Sequence, residues 1–373
     1  MEHESLFNRD WAGIVERLGG ADALEAGARQ TRAMVRARMI KSSTDLLRML
    51  LAYCLGDRGL RSTTAWAASV GLVDISNVSL LHRLRHSGDW LALLVGQVLA
   101  EAAPKGTGGR LIRIIDGTTV PKPGPVGGRN QLWRIHAAFD LPTERFGAFL
   151  LTEETGGETL DRIAAVKGEI RLADRAFLQP DRMAAILDVG ADFVIRSGWK
   201  GARWLTEDGK SFDLIATLAA ANERELIDRP IWLKRKSATP LGLRLVAVKK
   251  PPDACTTARQ KAARESQRGG HRLAPETLVA ADWVILITSL APAEFPAADL
   301  LALYRLRWRI ELAFKRLKSL IGLKGPPGAD PRTARPYILA HLLMILLLEP
   351  LIDEFEASPR LDPSQNRDLQ RAA

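Results

Sequence analysis

The sequence predicts a layered α/β protein in which acids stand at the ends of central strands. Three observations predict it. Two β-rich runs, Leu111 to Asp116 and Glu169 to Asp174, each close on an aspartate. Strand-like and helix-like segments alternate between residues 111 and 196. A linker composition, Pro104-Lys105-Gly106-Thr107-Gly108-Gly109, separates this region from a helical N-terminal one.

Residues 1–105 read as helical. Leu46, Leu47, Leu50, Leu51 and Leu55 recur at helical spacing. Ser62-Thr63-Thr64 can cap a short helix through Val70, Gly71 breaks it, and Ser76 can cap a second helix through Arg85. The pair resembles a helix-turn-helix with a long turn, and equally two ordinary core helices.

Next comes the strand ending at Asp116, then a loop rich in Gly and Pro. Leu132 to Phe139 and Phe146 to Thr152 read as two strands joined through Leu141 to Arg145. Glu158 to Val166 suits a helix, Glu169 to Asp174 a strand, Asp181 to Val189 a helix and Asp192 to Arg196 a strand. Three strands, helix, strand, helix, strand is the order of a ribonuclease-H-like core, expected over 106–198.

Residues 199–295 interrupt that core as a β-rich insertion, with strands at Ile231 to Arg235, Leu243 to Lys249 and Trp283 to Thr288. Within it Arg259, Lys261, Arg264, Arg268 and Arg272 mark an exposed basic loop, either solvated or touching DNA. The core resumes over 296–352 with one long helix, Ala297 to Leu320, and an apolar helix, Tyr337 to Ile352. A polar tail occupies 353–373.

Composition narrows the function. Lys and Arg total 53 against 43 Asp and Glu, a net charge of +10, which favours a polyanionic partner. Cys54 and Cys255 lie too far apart for a metal knuckle, and two cysteines make no disulfide framework, as suits a reducing cytoplasm. The acidic start, Met1-Glu2-His3-Glu4, is unlike a signal peptide. The apolar run from Tyr337 contains His341, Glu349 and Pro350 and is too short to span a bilayer, so a soluble protein is expected.

The chemistry centres on the long helix. Leu306, Ile310, Ala313, Leu317 and Leu320 form a core-facing stripe. Beside it, Tyr304, Arg307, Glu311, Lys315 and Lys318 fall within an arc of roughly 80°. On its own, Glu311 is explained by pairing with Arg307 and Lys315 across single turns, as on many surface helices. The remote pair Asp116 and Asp174 shifts the balance. A third acid packed against those strand ends makes a carboxylate cluster suited to a hard divalent ion. Two such ions can activate a nucleophile and stabilise the leaving oxygen of a phosphodiester. Arg307 and Lys318 would then neutralise phosphate oxygens.

Tyr304, Arg307, Glu311 and Lys318 reproduce the Tyr-(2)-Arg-(3)-Glu-(6)-Lys signature of the IS-four family of bacterial insertion-sequence transposases, members of the DDE superfamily. Ile115-Asp116-Gly117-Thr118 resembles that family's first aspartate motif, and Leu172-Ala173-Asp174-Arg175-Ala176-Phe177 its second. The resemblance covers roughly residues 110–320. It implies cut-and-paste DNA transposition with Asp116, Asp174 and Glu311 as catalytic metal ligands for Mg²⁺ or Mn²⁺. Water nicks the transposon end, the freed 3′-hydroxyl closes a hairpin, and the reopened end is joined to target DNA. It also implies that Trp283 stacks on a flipped base and that Tyr304, Arg307, Lys315 and Lys318 grip phosphates. Read from the residues alone, a lone tryptophan such as Trp283 is rather a core strand residue. The implied partners are double-stranded DNA, as terminal inverted repeats and target, and a second copy of the chain. The implied location is the bacterial cytoplasm, on the nucleoid.

Two other classes compete. One is a catalytically inactive or regulatory DNA-binding protein derived from a transposase, against which all three acids speak. The other is a different ribonuclease-H-like nuclease, against which the Tyr-Arg-Glu-Lys signature speaks.

Overall fold

The computed structural model describes residues 11–102, 109–123, 131–143, 145–153, 155–221, 226–236, 238–319, 323 and 325–357. The linker expected at 104–108, the centre of the Gly/Pro-rich loop and the tail from Ser358 lie outside them. The chain divides into two compact units. One comprises Met1–Ala102, Pro121–Pro125 and Lys315–Ala373; the other comprises Ala103–Val120 and Val126–Phe314.

The first unit is helical: α1 Trp11–Arg17, α2 Gly20–Gln30, α3 Ser43–Leu55, α4 Leu60–Ser69, α5 Asn77–His86, α6 Gly88–Ala102 and, from the other end of the chain, α13 Pro331–Ala357. The apolar run forms α13, which packs on α6 and also meets α3 and α5. Leu46, Leu50, Trp90, Leu94, Ile338, Leu342 and Leu343 are buried, because each helix hides its apolar stripe against the others. Ser76 caps α5 by accepting from the Ser79 N–H. Ser62 and Thr63 do not cap α4: it begins earlier, at Leu60, and their hydroxyls donate back to the Gly59 carbonyl. Among the described residues no helix is long and apolar enough to cross a membrane.

The second unit is built on one sheet. Its strands are β1 Ile112–Pro121, β2 Leu132–Asp140, β3 Arg145–Glu153, β4 Ile170–Ala173, β5 Asp192–Arg196, β6 Trp204–Leu205, β7 Leu226–Leu233, β8 Leu241–Lys249 and β9 Trp283–Thr288. They lie in the order β3-β2-β1-β4-β5-β9-β8-β7-β6. β2 and β3 form an antiparallel pair, while β4 runs parallel to β1 and to β5. The strands of 199–295 continue this sheet: β9 adds antiparallel to β5, β8 to β9, β7 to β8 and β6 to β7. Helices α7 Pro180–Asp188, α8 Leu214–Ala220, α9 Pro252–Arg268, α10 Pro275–Ala281, α11 Ala297–Arg305 and α12 Trp308–Ser319 complete the order.

Four local expectations are corrected. Residues 158–166 are irregular, not helical. The carbonyls of Leu160, Ile163 and Ala164 all turn to the guanidinium of Arg171, so they are unavailable for a helical ladder. The basic segment from Arg259 is mostly helix α9, because Ala, Gln, Arg and Lys are good helix formers and Gly269-Gly270 supplies the stop. The long helix is two, α11 and α12, broken at Leu306-Arg307, where Leu306 N–H and Arg307 N–H reach back only three residues. β1 runs on past Asp116 to Pro121, so that acid lies within the strand and not at its end.

Arg171 is the principal polar group in this core. It is fully buried on β4, pairs with buried Glu169, and Glu169 also pairs with Arg113. Arg171→Ala leaves Glu169 buried beside a lost partner and frees three carbonyls. It is expected to destabilise the protein by about 3–5 kcal/mol, read from the urea unfolding midpoint; an unchanged midpoint would show that the network contributes little.

His136, on β2, is 2% exposed and hydrogen-bonded to Thr152 Oγ1 at 2.9 Å. Burial, with Arg162 and Arg134 nearby, pushes its pKa down from 6.5 to about 4. The folded value lies below the unfolded one, so the stability contributed by the neutral ring is full above about pH 6.5 and is lost as pH falls towards 4. Melting temperature should therefore fall across that window, and fall less steeply in His136→Gln.

Candidate active site

β1 and β4 pair in parallel with Ile114 opposite Leu172. Two residues further on, Asp116 and Asp174 fall level with each other, and the even step puts both side chains on one face. β4 has ended there. The extended backbone of Asp174 leads into a single 3-10 turn, Arg175–Phe177, and its Oδ1 accepts the Ala176 N–H at 2.8 Å. Asp116 Oδ1 accepts the Gly117 N–H at 2.8 Å.

The third acid arrives on α12. Ile310, Ala313 and Phe314 bury the inner face of this helix, and the Phe314 ring lies 5.8 Å from that of Phe146 on β3. Leu306 is 36% exposed, so it drops out of the expected stripe; the side chains of Leu317 and Leu320 lie outside the described residues. Glu311 sits in the first turn of α12, where the free N–H groups favour an acid, and its side chain is 58% exposed.

Arg307, in the break between α11 and α12, joins the acids. Its guanidinium lies 3.2 Å from Asp116 Oδ2 and pairs with Glu311 Oε1. Burial works against its charge, but Tyr304, Asp116, Glu311 and Asp174 together hold its pKa above the ordinary value. Asp116 is pushed up to about 6. Burial is the main cause, Asp174 and Glu158 add to it, and the Gly117 N–H and Arg307 oppose it. Arg307 therefore offsets the effect of burial only in part. Tyr304, on α11, is half-buried; its hydroxyl is itself buried beside Arg307 without a well-formed hydrogen bond, and burial pushes its pKa up to about 12.

Sequence reasoning missed three neighbours. Glu158 lies so close to Gly117 that a Cβ there would stand 2.6 Å from its Oε1, and it pairs with Arg134. Arg196, at the end of β5, acts on the Tyr304 hydroxyl. Trp308, next to Arg307, is 50% exposed. Glu158 and Arg196 carried no motif. Trp308 adjoins one, and its exposure was decided by the break in the helix.

Trp283 begins β9 at the edge of the sheet that carries the acids, but its ring is 3% exposed within the hydrophobic core, so it is not gathered with the acids. Lys315 and Lys318 follow Glu311 on α12 and are exposed. Among the described residues no three acid, His or Cys side chains stand close enough to hold an ion as they are, since the guanidinium of Arg307 lies between Asp116 and Glu311.

Asp116 on β1, Asp174 just after β4 and Glu311 on α12, with Arg307 paired to the first and the last, make a candidate carboxylate site. Residues 107–346 match the family model described as the transposase DDE domain. The chain is 37% identical to the InsL protein of insertion sequence element IS186A from Escherichia coli strain K12 over 366 residues, 96% of this chain and 98% of that one. It is 36% identical to the transposase for insertion sequence element IS421 from Escherichia coli over 367 residues, again 96% and 98%. The chain belongs to the DDE transposases, in their IS-four family, and is a DNA-cleaving and strand-transferring enzyme. Such domains use divalent metal ions, and the family's fold is ribonuclease-H-like, consistent with the order β3-β2-β1-β4-β5.

The orphaned Tyr304 hydroxyl yields a test. Removing an unsatisfied buried hydroxyl is neutral or stabilising, whereas losing a hydrogen bond to bound phosphate costs roughly 0.5–1.5 kcal/mol. Tyr304→Phe should keep or raise the melting temperature while weakening duplex DNA binding several-fold. The reverse pattern would mark the hydroxyl as structural.

Proposed function

We propose that the protein catalyses cut-and-paste transposition of its own insertion sequence, with Asp116, Asp174 and Glu311 holding Mg²⁺ or Mn²⁺. The observation that carries this is the level placement of Asp116 and Asp174 together with the single guanidinium that joins Asp116 to Glu311. The donor set is hard oxygen throughout, which suits a hard divalent ion. When bound, the ions would activate water or a 3′-hydroxyl and stabilise the departing oxygen in line.

The chain's own residues supply the rest. Arg307 neutralises the acids in the free protein and turns to a phosphate oxygen when the acids are otherwise occupied; its planar fork suits both partners. Tyr304 donates its unpartnered hydroxyl to the same backbone. Lys315 and Lys318 add charge along α12. Trp283 occupies the position at which the family stacks a flipped base, but its ring must leave the core to meet one. Trp308, half exposed beside Arg307 with the Arg309 guanidinium 5.8 Å from its ring centre, is an accessible alternative platform for a base. The helical N-terminal region reads the terminal inverted repeats, and two copies of the chain act together on the paired ends. The β-rich residues 199–295 serve as the insertion within a ribonuclease-H-like core. The place of action is chromosomal DNA in the bacterial cytoplasm.

The decisive experiment uses a labelled duplex carrying the inverted repeats that flank the gene, with Mg²⁺ and with EDTA, on a denaturing gel. A Mg²⁺-dependent nick at the repeat boundary followed by a hairpin product is expected. Glu311→Gln should abolish both products while leaving DNA binding within about two-fold. Cutting by that variant would remove Glu311 from the site, and binding without any cutting by the wild type would favour the inactive DNA-binding protein.

A further inference from the structure

Helix α9 is 17 residues long and has no buried residue, so its sequence is not explained by packing. Its one firm attachment is on the inner side. Arg259 pairs with Asp282, and the Cys255 thiol lies 3.3 Å from the Lys250 carbonyl oxygen. At about 100° per residue, Ala258 and Ala262 share this inner side with Arg259, while Lys261, Arg264 and Arg268 fall within an arc of about 60° on the opposite one. All three are exposed, and none makes an ion pair among the described residues. Arg272 extends the series beyond the helix, and Glu265 is the single acid between residues 259 and 272.

The position matters as much as the charge. Register carries across the sheet: Ala173 pairs with Ile195, Arg196 with Leu286, and Leu286 with Val246. Asp174 is therefore level with Val246 on β8, three strand spacings or roughly 15 Å away. β8 continues three residues beyond that level, to Lys249, before the chain enters α9. The helix thus leaves the same edge of the sheet that carries the acids. Lys261 to Arg268 spans about 10 Å of helix axis, comparable to three 3.4 Å steps along one DNA strand.

We infer that the outer face of α9, through Lys261, Arg264 and Arg268, is a second DNA-binding surface that grips the phosphate backbone of the duplex beside the segment held at the acids. It rests on the family's action on DNA and reads no sequence, since all three contacts are to phosphate. Its role is to fix the path of the duplex across the sheet edge and keep the scissile bond in register.

Binding of a fluorescein-labelled 30-base-pair duplex of arbitrary sequence, followed by anisotropy in EDTA from 50 to 200 mM KCl, tests it. Each phosphate contact contributes about 0.9 to the slope of log affinity against log salt. The triple variant Lys261→Gln, Arg264→Gln, Arg268→Gln should therefore flatten that slope by about 2 to 3 and lose at least ten-fold in affinity at the lowest salt. Its melting temperature should be unchanged, because nothing substituted is buried. A second triple variant, Lys167→Gln, Lys200→Gln, Lys210→Gln, removes the same charge from exposed positions elsewhere in the same unit and should flatten the slope by less than one. Equal flattening in both variants, or none in the first, overturns the assignment to α9 and leaves the catalytic reading standing. A wild-type protein that binds no duplex at all overturns both.

Discussion

The parallel pairing of β1 with β4 fixes where negative charge collects in this protein. In a parallel pair, residues the same number of positions beyond a register pair stand level with each other. Asp116 and Asp174 meet that condition because Ile114 lies opposite Leu172. A slip of one residue would send one carboxylate to the other face. The register is held by buried Ile114, Ile170 and Leu172 and by the Arg113, Glu169 and Arg171 charges at the far end of the same strands.

Two like charges side by side, with Asp116 largely buried, are unfavourable without compensation. The protein answers with Arg307, and that explains the break between α11 and α12. A straight helix would carry Tyr304, Arg307 and Glu311 along one edge at a constant pitch. The tightened turn at Leu306-Arg307 instead separates Tyr304 on one helix from Glu311 at the N-terminal end of the next, with Arg307 between them reaching Asp116. The same turn exposes Trp308. A buried tyrosine hydroxyl without a well-formed hydrogen bond and a half-exposed tryptophan are each costly in a resting fold. They are reasonable in one completed by metal and phosphate.

The sheet also sets the geography for nucleic acid. The edge that carries the acids runs from β1 across β4 and β5 to β9 and β8, and the last two come from a segment more than forty residues beyond β5 in the chain. One continuous edge therefore carries the acids at one place and the root of a basic helix at another. Long-range charge then acts together with local chemistry: a chain of net charge +10 is attracted to any duplex, and the arrangement of cations decides how it lies.

Much of this was legible in the sequence. The β-rich runs, their terminal acids and the spacing of Tyr304, Arg307, Glu311 and Lys318 identify strands, a helix edge and the three carboxylates, because period and spacing are properties of the chain itself. The exposed character of Lys261, Arg264 and Arg268 was equally plain, although their helix was not. Tertiary structure alone decided what depends on partners distant in sequence. It turned the carbonyls of 160–164 onto Arg171 in place of a helix, carried β1 past Asp116, broke the long helix at Arg307 and buried the ring of Trp283. It also brought Glu158 against Gly117 and joined β9 to β5. The Arg171 contacts span only 7 to 11 positions, but they replace the helical pattern, and most of the others join residues tens to hundreds of positions apart, which no local pattern encodes.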